Sequence, residues 1–207
     1  QVIRTIIADQ QNLRWKNQFV RREFPANLLQ SEDIIVISGI RRCGKSTLLH
    51  QIRDEKDEQD YYLNFDDDRL IHFKVEDFQQ LLEIFIEMFG VQKTLYFDEI
   101  QNINGWERFV RRLHDQGYKI FITGSNARML SRELGTHLSG RYISFELYPF
   151  SFSEYLRFQN FESNASSILS TEKRGMVQKH FQDYFKIGGF PAFIKNQNPD
   201  YLRSLYD

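Results

Sequence analysis

Short runs of β-branched and aromatic residues alternate along this chain with stretches whose apolar positions recur every three or four residues, which predicts strands alternating with helices. Ile3, Ile6, Ile7, Leu13, Phe19 and Val20 predict an N-terminal helix that ends before Pro25 and lays its apolar stripe on a sheet. Ile34 to Ser38 lies between Ser31-Glu32-Asp33 and Gly39 and reads as a buried parallel strand, with a helix following from Lys45 to about Arg53. After the acidic turn Asp54 to Asp60 come a strand at Tyr61 to Phe65 and an amphipathic helix carrying Phe78, Leu81, Leu82, Phe85, Ile86 and Phe89, closed by Gly90. Strands are expected at Thr94 to Phe97, Lys119 to Thr123 and Tyr142 to Phe145, and helices at Trp106 to His114 and Ala127 to about Leu134. Such alternation implies a parallel sheet with helices on both faces.

Beyond Pro149 the pattern is helical only. It runs through Ser153 to Phe158, a polar connection at Gln159 to Ser170, then Val177, Phe181, Tyr184 and Phe185, and stops at Gly188-Gly189 and Pro191. The expected organisation is an α/β domain over 1–149 that includes the N-terminal helix, and a helical segment over 150–207 that is either lid-like or the start of a truncated C-terminal region. The aromatics of both regions sit at core spacing and read as packing rather than as a platform for bases. The sequence opens on Gln1 rather than Met and ends inside the helical spacing of Tyr201 to Asp207, so it reads as a fragment.

Composition narrows the function classes. With 207 residues, 41% of them hydrophobic and including 19 Phe and 10 Tyr, the chain can close one full α/β core. Lys plus Arg (27) nearly balance Asp plus Glu (28), which gives no overall attraction to nucleic acid or to an anionic membrane. The single Cys43 allows no intrachain disulfide, and neither a signal peptide nor a spanning apolar run is present, so a cytoplasmic protein is expected. The five histidines show no metal-ligand spacing, and no structural zinc is expected.

The chemistry begins at Gly39-Ile40-Arg41-Arg42-Cys43-Gly44-Lys45-Ser46, which fits G-x-x-x-x-G-K-[ST] between an expected strand and an expected helix, with Thr47 next in line. The glycines let main-chain N–H groups point into one concavity, and the start of the helix adds its positive dipole end, so the loop suits the phosphates of a nucleotide. Lys45 reaches the β- and γ-phosphates, and the Ser46 hydroxyl is short enough to bind Mg²⁺. Arg41 and Arg42 can add charge there, although the expectation is that one of them pairs instead with the acidic run Asp66-Asp67-Asp68. Cys43 reads as a small residue filling the loop.

Leu95-Tyr96-Phe97-Asp98-Glu99 is an apolar strand that ends in two carboxylates at the sheet edge where ligands bind. Asp98 is the candidate for Mg²⁺, and Glu99 for orienting and deprotonating the attacking water. Thr123-Gly124-Ser125-Asn126 ends the next strand at the same edge, where Ser125 or Asn126 can position water or cap the following helix. Arg141 either neutralises charge at the γ-phosphate of a neighbouring subunit or is an ordinary surface arginine, and Arg132 is the weaker rival.

These residues together resemble a prokaryotic family of AAA-type ATPases in which the P-loop domain precedes a C-terminal domain of uncharacterised role. The resemblance is carried by Gly39 to Leu49, Tyr96-Phe97-Asp98-Glu99-Ile100-Gln101, Trp106, Thr123 to Asn126, Leu138-Ser139-Gly140-Arg141, Tyr148 to Tyr155 and Gly188-Gly189-Phe190-Pro191. It implies an AAA-type P-loop NTPase with a five-stranded core, in which an added strand lies between the phosphate-loop and metal-binding strands. It also implies ATP rather than GTP, Asp98 on Mg²⁺, Glu99 as base, a sensor among Thr123 to Asn126, and Arg141 as a finger. The sequence has no N-K-x-D guanine-reading motif, which agrees with ATP. No residue stands out as a second sensor arginine.

The resulting expectation is a Mg²⁺-dependent ATPase whose nucleotide state moves the helical segment after Pro149 and acts on an unknown protein partner, with a homo-oligomer left open. Three rivals fit the same loop: a regulatory module with little turnover, a nucleic-acid-acting ATPase, and a small-molecule kinase, for which no acceptor pocket is legible.

Overall fold

The computed structural model describes residues 1–12, 19–125, 135, 138–161 and 170–196. Its elements run α1 (Val2–Asn12), α2 (Ala26–Gln30), β1 (Ile34–Gly39), α3 (Lys45–Asp54), β2 (Tyr62–Asn64), α4 (Asp77–Phe89), β3 (Thr94–Asp98), α5 (Trp106–Asp115), β4 (Lys119–Gly124), β5 (Tyr142–Leu147), α6 (Phe152–Phe158), α7 (Thr171–Ile187) and α8 (Pro191–Asn196), with single 3₁₀ turns at Asp68–Leu70 and Ile100–Asn102. The helix expected at Ala127 to Leu134, most of the connection Gln159 to Ser170 and the terminal Tyr201 to Asp207 lie outside the described residues.

The sheet has five strands in the order β2-β3-β4-β1-β5. β1 pairs with β4, β4 with β3, and β3 with β2, all parallel. β4 thus lies between the strand leading into the phosphate loop and the strand ending in Asp98, as the family resemblance implied. All six residues of β1 are buried, as a strand covered on both faces requires.

The chain divides into two compact units, one made of Gln1–Asn17, Phe24–Gly39 and Lys45–Glu146, the other of Gln18–Glu23, Ile40–Gly44 and Leu147–Asp207. In the first, Ile6 and Ile7 of α1 join the core with Ile34, Val36, Phe97 and Ile122. An aromatic cluster fills the space under α4 and α5, with Phe78 stacked on Phe109 at 4.6 Å and edge-on to Phe73 at 5.1 Å. In the second, Phe150, Tyr155 and Ile194 form a small core with Val20, Phe152, Phe158, Tyr184 and Ile187 against it.

Two expectations fail. The N-terminal helix does not continue to Pro25: α1 is described over Val2–Asn12, residues 13–18 with Leu13 lie outside the described residues, Phe19 to Pro25 has no regular structure, and a short α2 follows. Pro25 excludes helical backbone at Phe24, and the buried Arg22 satisfies its guanidinium on groups far along the chain rather than lying on a helix face. Aromatic packing in the C-terminal helices is also only partial, because α7 buries no residue and Phe181 and Phe185 are 51% and 83% exposed. Among the described residues, no helix is long and apolar enough to cross a membrane.

The Gly-Gly pair after α7 has two separate jobs. Gly188 caps the helix with φ 77°, its N–H meeting Tyr184 O at 2.7 Å. Gly189 accepts the Phe150 N–H at 2.7 Å, and a Cβ there would run into the Phe150 backbone. Gly189→Ala is therefore expected to lower stability by about 1–3 kcal/mol through overpacking. Gly175→Ala, in the interior of α7 with open space around it, is expected to raise stability by roughly 0.5–1 kcal/mol. Urea unfolding of both variants checks the pair.

Candidate functional site

The last residues of β3 and β4 place the site. In register, Phe97 lies beside Ile122, so the next positions, Asp98 and Thr123, are neighbours; Thr123 also faces Ile37 of β1. Asp98 is fully buried. The Thr123 hydroxyl donates to its Oδ1, the Tyr62 hydroxyl approaches Oδ2 at 3.4 Å, and Ser46 hydrogen-bonds the same carboxyl. Burial raises the Asp98 pKa and the neighbouring Glu99 adds to the rise, while the bonds from Thr123 and Ser46 and the charge of Lys45 oppose it. A buried carboxyl held by hydroxyls beside a further serine oxygen is the all-oxygen, charge-hungry setting that suits a hard divalent cation, so the residues fit Mg²⁺.

Lys45, the first residue of α3, is buried, with Nζ 3.2 Å from Gly39 O and 3.9 Å from Glu99 Oε1. Glu99 turns the chain sharply after β3: its backbone is left-handed (φ 52°, ψ 43°), a conformation that costs a non-glycine residue on the order of 1–3 kcal/mol. The turn is held because the Glu99 N–H donates to Thr123 Oγ1 at 3.0 Å. The carboxylate of Glu99 takes the Ser125 N–H on Oε2 at 3.2 Å, together with the side-chain amide of Gln101. One threonine hydroxyl thus serves both acids, accepting from the backbone of one and donating to the side chain of the other.

Lys45, Ser46, Asp98, Glu99 and Ser125 are therefore brought together, with Gly39 and Thr47 flanking the start of α3. Asn126 lies outside the described residues, as does Arg132. Arg141 is elsewhere: its carbonyl accepts the Ile34 N–H at the opening of β1, the end opposite the loop, and its Nε donates to Asp115 at 3.0 Å. The acidic run turns to a different arginine than expected, Asp67 pairing with Arg69 at 2.8 Å, which pulls the Asp67 carboxyl down to about 2.

Ile40–Gly44 belongs to the second compact unit. Ile40, Arg41 and Arg42 are exposed, and Cys43 is buried with its thiol 3.3 Å from Leu147 O. Arg22, which sequence reasoning passed over, organises this unit. Its guanidinium donates to Cys43 O and Tyr148 O, each at 2.6 Å, and to Glu154 Oε1 at 2.8 Å, over the Phe150 ring. A Cβ at Gly44 would sit 2.9 Å from Arg22 Nη1. Burial alone would raise the Glu154 pKa, but the Arg22 bond and the N–H groups of Ser151 and Glu23 outweigh it and leave the carboxyl below its ordinary value.

Sequence reasoning also missed Tyr62, whose ring carries Arg53 at 4.1 Å and lies 4.9 Å from that of His50. Burial and then the Arg53 charge push His50 down to about 3, so it stands neutral behind the site. Nothing in the local sequence marks this pile, because its members come from α3 and β2.

Two outcomes follow. Thr123→Val strips the Glu99 N–H of its acceptor and is expected to cost about 1–3 kcal/mol in urea unfolding. Because the folded pKa of Asp98 is raised, the folded state holds a proton that the unfolded chain has released above about pH 4, so stability falls as pH rises through that window. Without nucleotide, Asp98→Asn is expected to flatten this decline. A decline equal to that of wild type counts against the buried carboxyl as its source.

Comparison with known proteins agrees with this geometry. Residues 31–156, more than half of the chain, match the AAA domain family. An uncharacterized protein of Methanocaldococcus jannaschii, MJ1544, is 38% identical over 93% of this chain and 44% of its own length. An uncharacterized protein of Haemophilus influenzae is 39% identical over 89% of this chain and 46% of its own. The chain spans less than half the length of both relatives. The solved structure of C. elegans PCH-2 superposes with a TM-score of 0.44 at 12% identity, over 84% of this chain and 46% of that one, a likeness too slight to carry an argument. On the family match, the chain belongs to the AAA domain family and is a P-loop, ATPase-like nucleotide-binding domain.

Proposed function

We propose that this domain binds ATP with Mg²⁺ and hydrolyses it, acting as a nucleotide-driven switch or motor on a protein partner. The observation that carries the reading is the convergence of Lys45, Ser46, Asp98, Glu99, Thr123 and Ser125 at one end of β1, β3 and β4. Mg²⁺ held by the Ser46 hydroxyl and, through water, by Asp98 would neutralise charge on the phosphates. Main-chain N–H groups at the positive end of α3, those of Lys45 and Ser46, receive phosphate oxygens, and Lys45 brings a compact cation to the β- and γ-groups. Glu99 takes the proton of a water as its oxygen attacks the γ-phosphorus, and ADP leaves with the bonding pair. Ser125 is the sensor candidate beside that water. The missing N-K-x-D motif and the family resemblance favour ATP over GTP.

Arg22 gives the Cys43 carbonyl and the α6 glutamate Glu154 a common anchor, which supports coupling of the loop to the helical segment. Arg141 has its carbonyl at the far end of β1 and its side chain on Asp115, so a finger role requires release from that aspartate and action on a neighbouring subunit.

The test is phosphate release by the full-length protein. Lys45→Ala is expected to lose nucleotide binding, and Glu99→Gln to bind ATP while turnover falls by ~10²-fold or more, the usual contribution of a general base. Turnover per subunit that rises with protein concentration in wild type but not in Arg141→Ala supports action in trans. Tight ATP binding without phosphate release at any concentration makes the nucleotide a regulatory ligand and removes Glu99 from a catalytic role.

A further inference from the structure

We infer that Gln101 is a positioning residue for the hydrolytic step, holding the Glu99 carboxylate so that one oxygen is tied back and the other faces Lys45. This rests on the reading of Glu99 as the base.

The left-handed turn at Glu99 sends the chain into the single 3₁₀ turn Ile100–Asn102, which folds Gln101 back beneath the carboxylate two residues earlier. Gln101 is only 7% exposed. Its Nε2 donates to Glu99 Oε2 and lies 3.4 Å from the Ser125 hydroxyl. A carboxylate only accepts, so the amide nitrogen must be the atom that faces it. That orientation leaves Gln101 Oε1 buried with no hydrogen-bond partner among the described residues. A buried acceptor without a partner costs about 1–3 kcal/mol, so the fold alone would be served better by an apolar side chain here. The amide earns its place through what its nitrogen holds.

What it holds is one oxygen of the base. Glu99 Oε2 takes both the Gln101 amide and the Ser125 N–H, which engages its lone pairs. Oε1 is the atom turned toward the phosphate-binding lysine, 3.9 Å from Lys45 Nζ. A base that must meet a water beside the γ-phosphate needs one free oxygen in a fixed direction, and loss of that direction lowers the rate without touching the groups that bind phosphate. Gln101 also places Ser125 and Glu99 on the same amide, so the sensor position at the end of β4 and the base move together.

The experiment compares full-length wild type with Gln101→Leu, and with the unbranched Gln101→Met as a second variant in case leucine does not pack. Phosphate release, ADP affinity by calorimetry and melting temperature are measured for each. The expected result is a kcat lower by ~10-fold, a part of what the general base itself contributes, with ADP affinity unchanged and a melting temperature equal to wild type or higher. A merely structural role predicts the opposite pairing, a lower melting temperature with affinity and rate falling together, and that result overturns the inference. Unchanged or raised kcat in both variants, with wild type turning over, overturns it while leaving the ATPase reading intact. No turnover by wild type overturns both.

Discussion

The hydrogen bond from the Thr123 hydroxyl to the buried Asp98 carboxyl, made across β3 and β4, is the interaction on which the rest of the site depends. It exists because β4 lies between β1 and β3. The same Thr123 oxygen accepts the Glu99 N–H, so the strained turn that aims the second carboxylate is secured by the group that satisfies the first. Burial of Asp98 costs free energy in the absence of a cation, which disposes the site to bind one.

The second compact unit depends on a different buried charge. Arg22 and Glu154 are each under one-tenth exposed, and their pairing is useful because every remaining polar atom finds work: backbone carbonyls of Cys43 and Tyr148 on the arginine, and N–H groups of Ser151 and Glu23 on the glutamate. Such a pair adds little net stability but fixes which backbone segments meet, since breaking it strands a buried charge. Here those segments are part of the phosphate loop and the start of α6.

β1, β3, β4 and the acids at the end of β3 were legible because each of these strands is a buried apolar run bounded by polar or glycine residues, whereas β5 buries Leu147 alone of its six residues. The N-terminal stretch misled for the converse reason. Phe19 and Val20 continue a helical period by accident, while the determinant, Arg22 binding groups more than a hundred residues away, leaves no local trace. Phe181 and Phe185 show the same limit: spacing marks one face of α7 as apolar without saying that anything covers it. Gln101 stood in plain view in Asp-Glu-Ile-Gln, yet its role depends on the left-handed backbone at Glu99, and a glutamate at that position gives no hint of positive φ.

The central claim, that Asp98 is the carboxylate through which Mg²⁺ strengthens nucleotide binding, is tested most directly by the melting temperature with ATP, with and without Mg²⁺, in wild type and Asp98→Asn. A ligand at about a hundred times its dissociation constant stabilises by ~2.7 kcal/mol, well within reach of such a measurement. The account predicts a clear additional rise on adding Mg²⁺ in wild type and none in Asp98→Asn, both proteins being folded. An equal Mg²⁺-dependent rise in the two would contradict it.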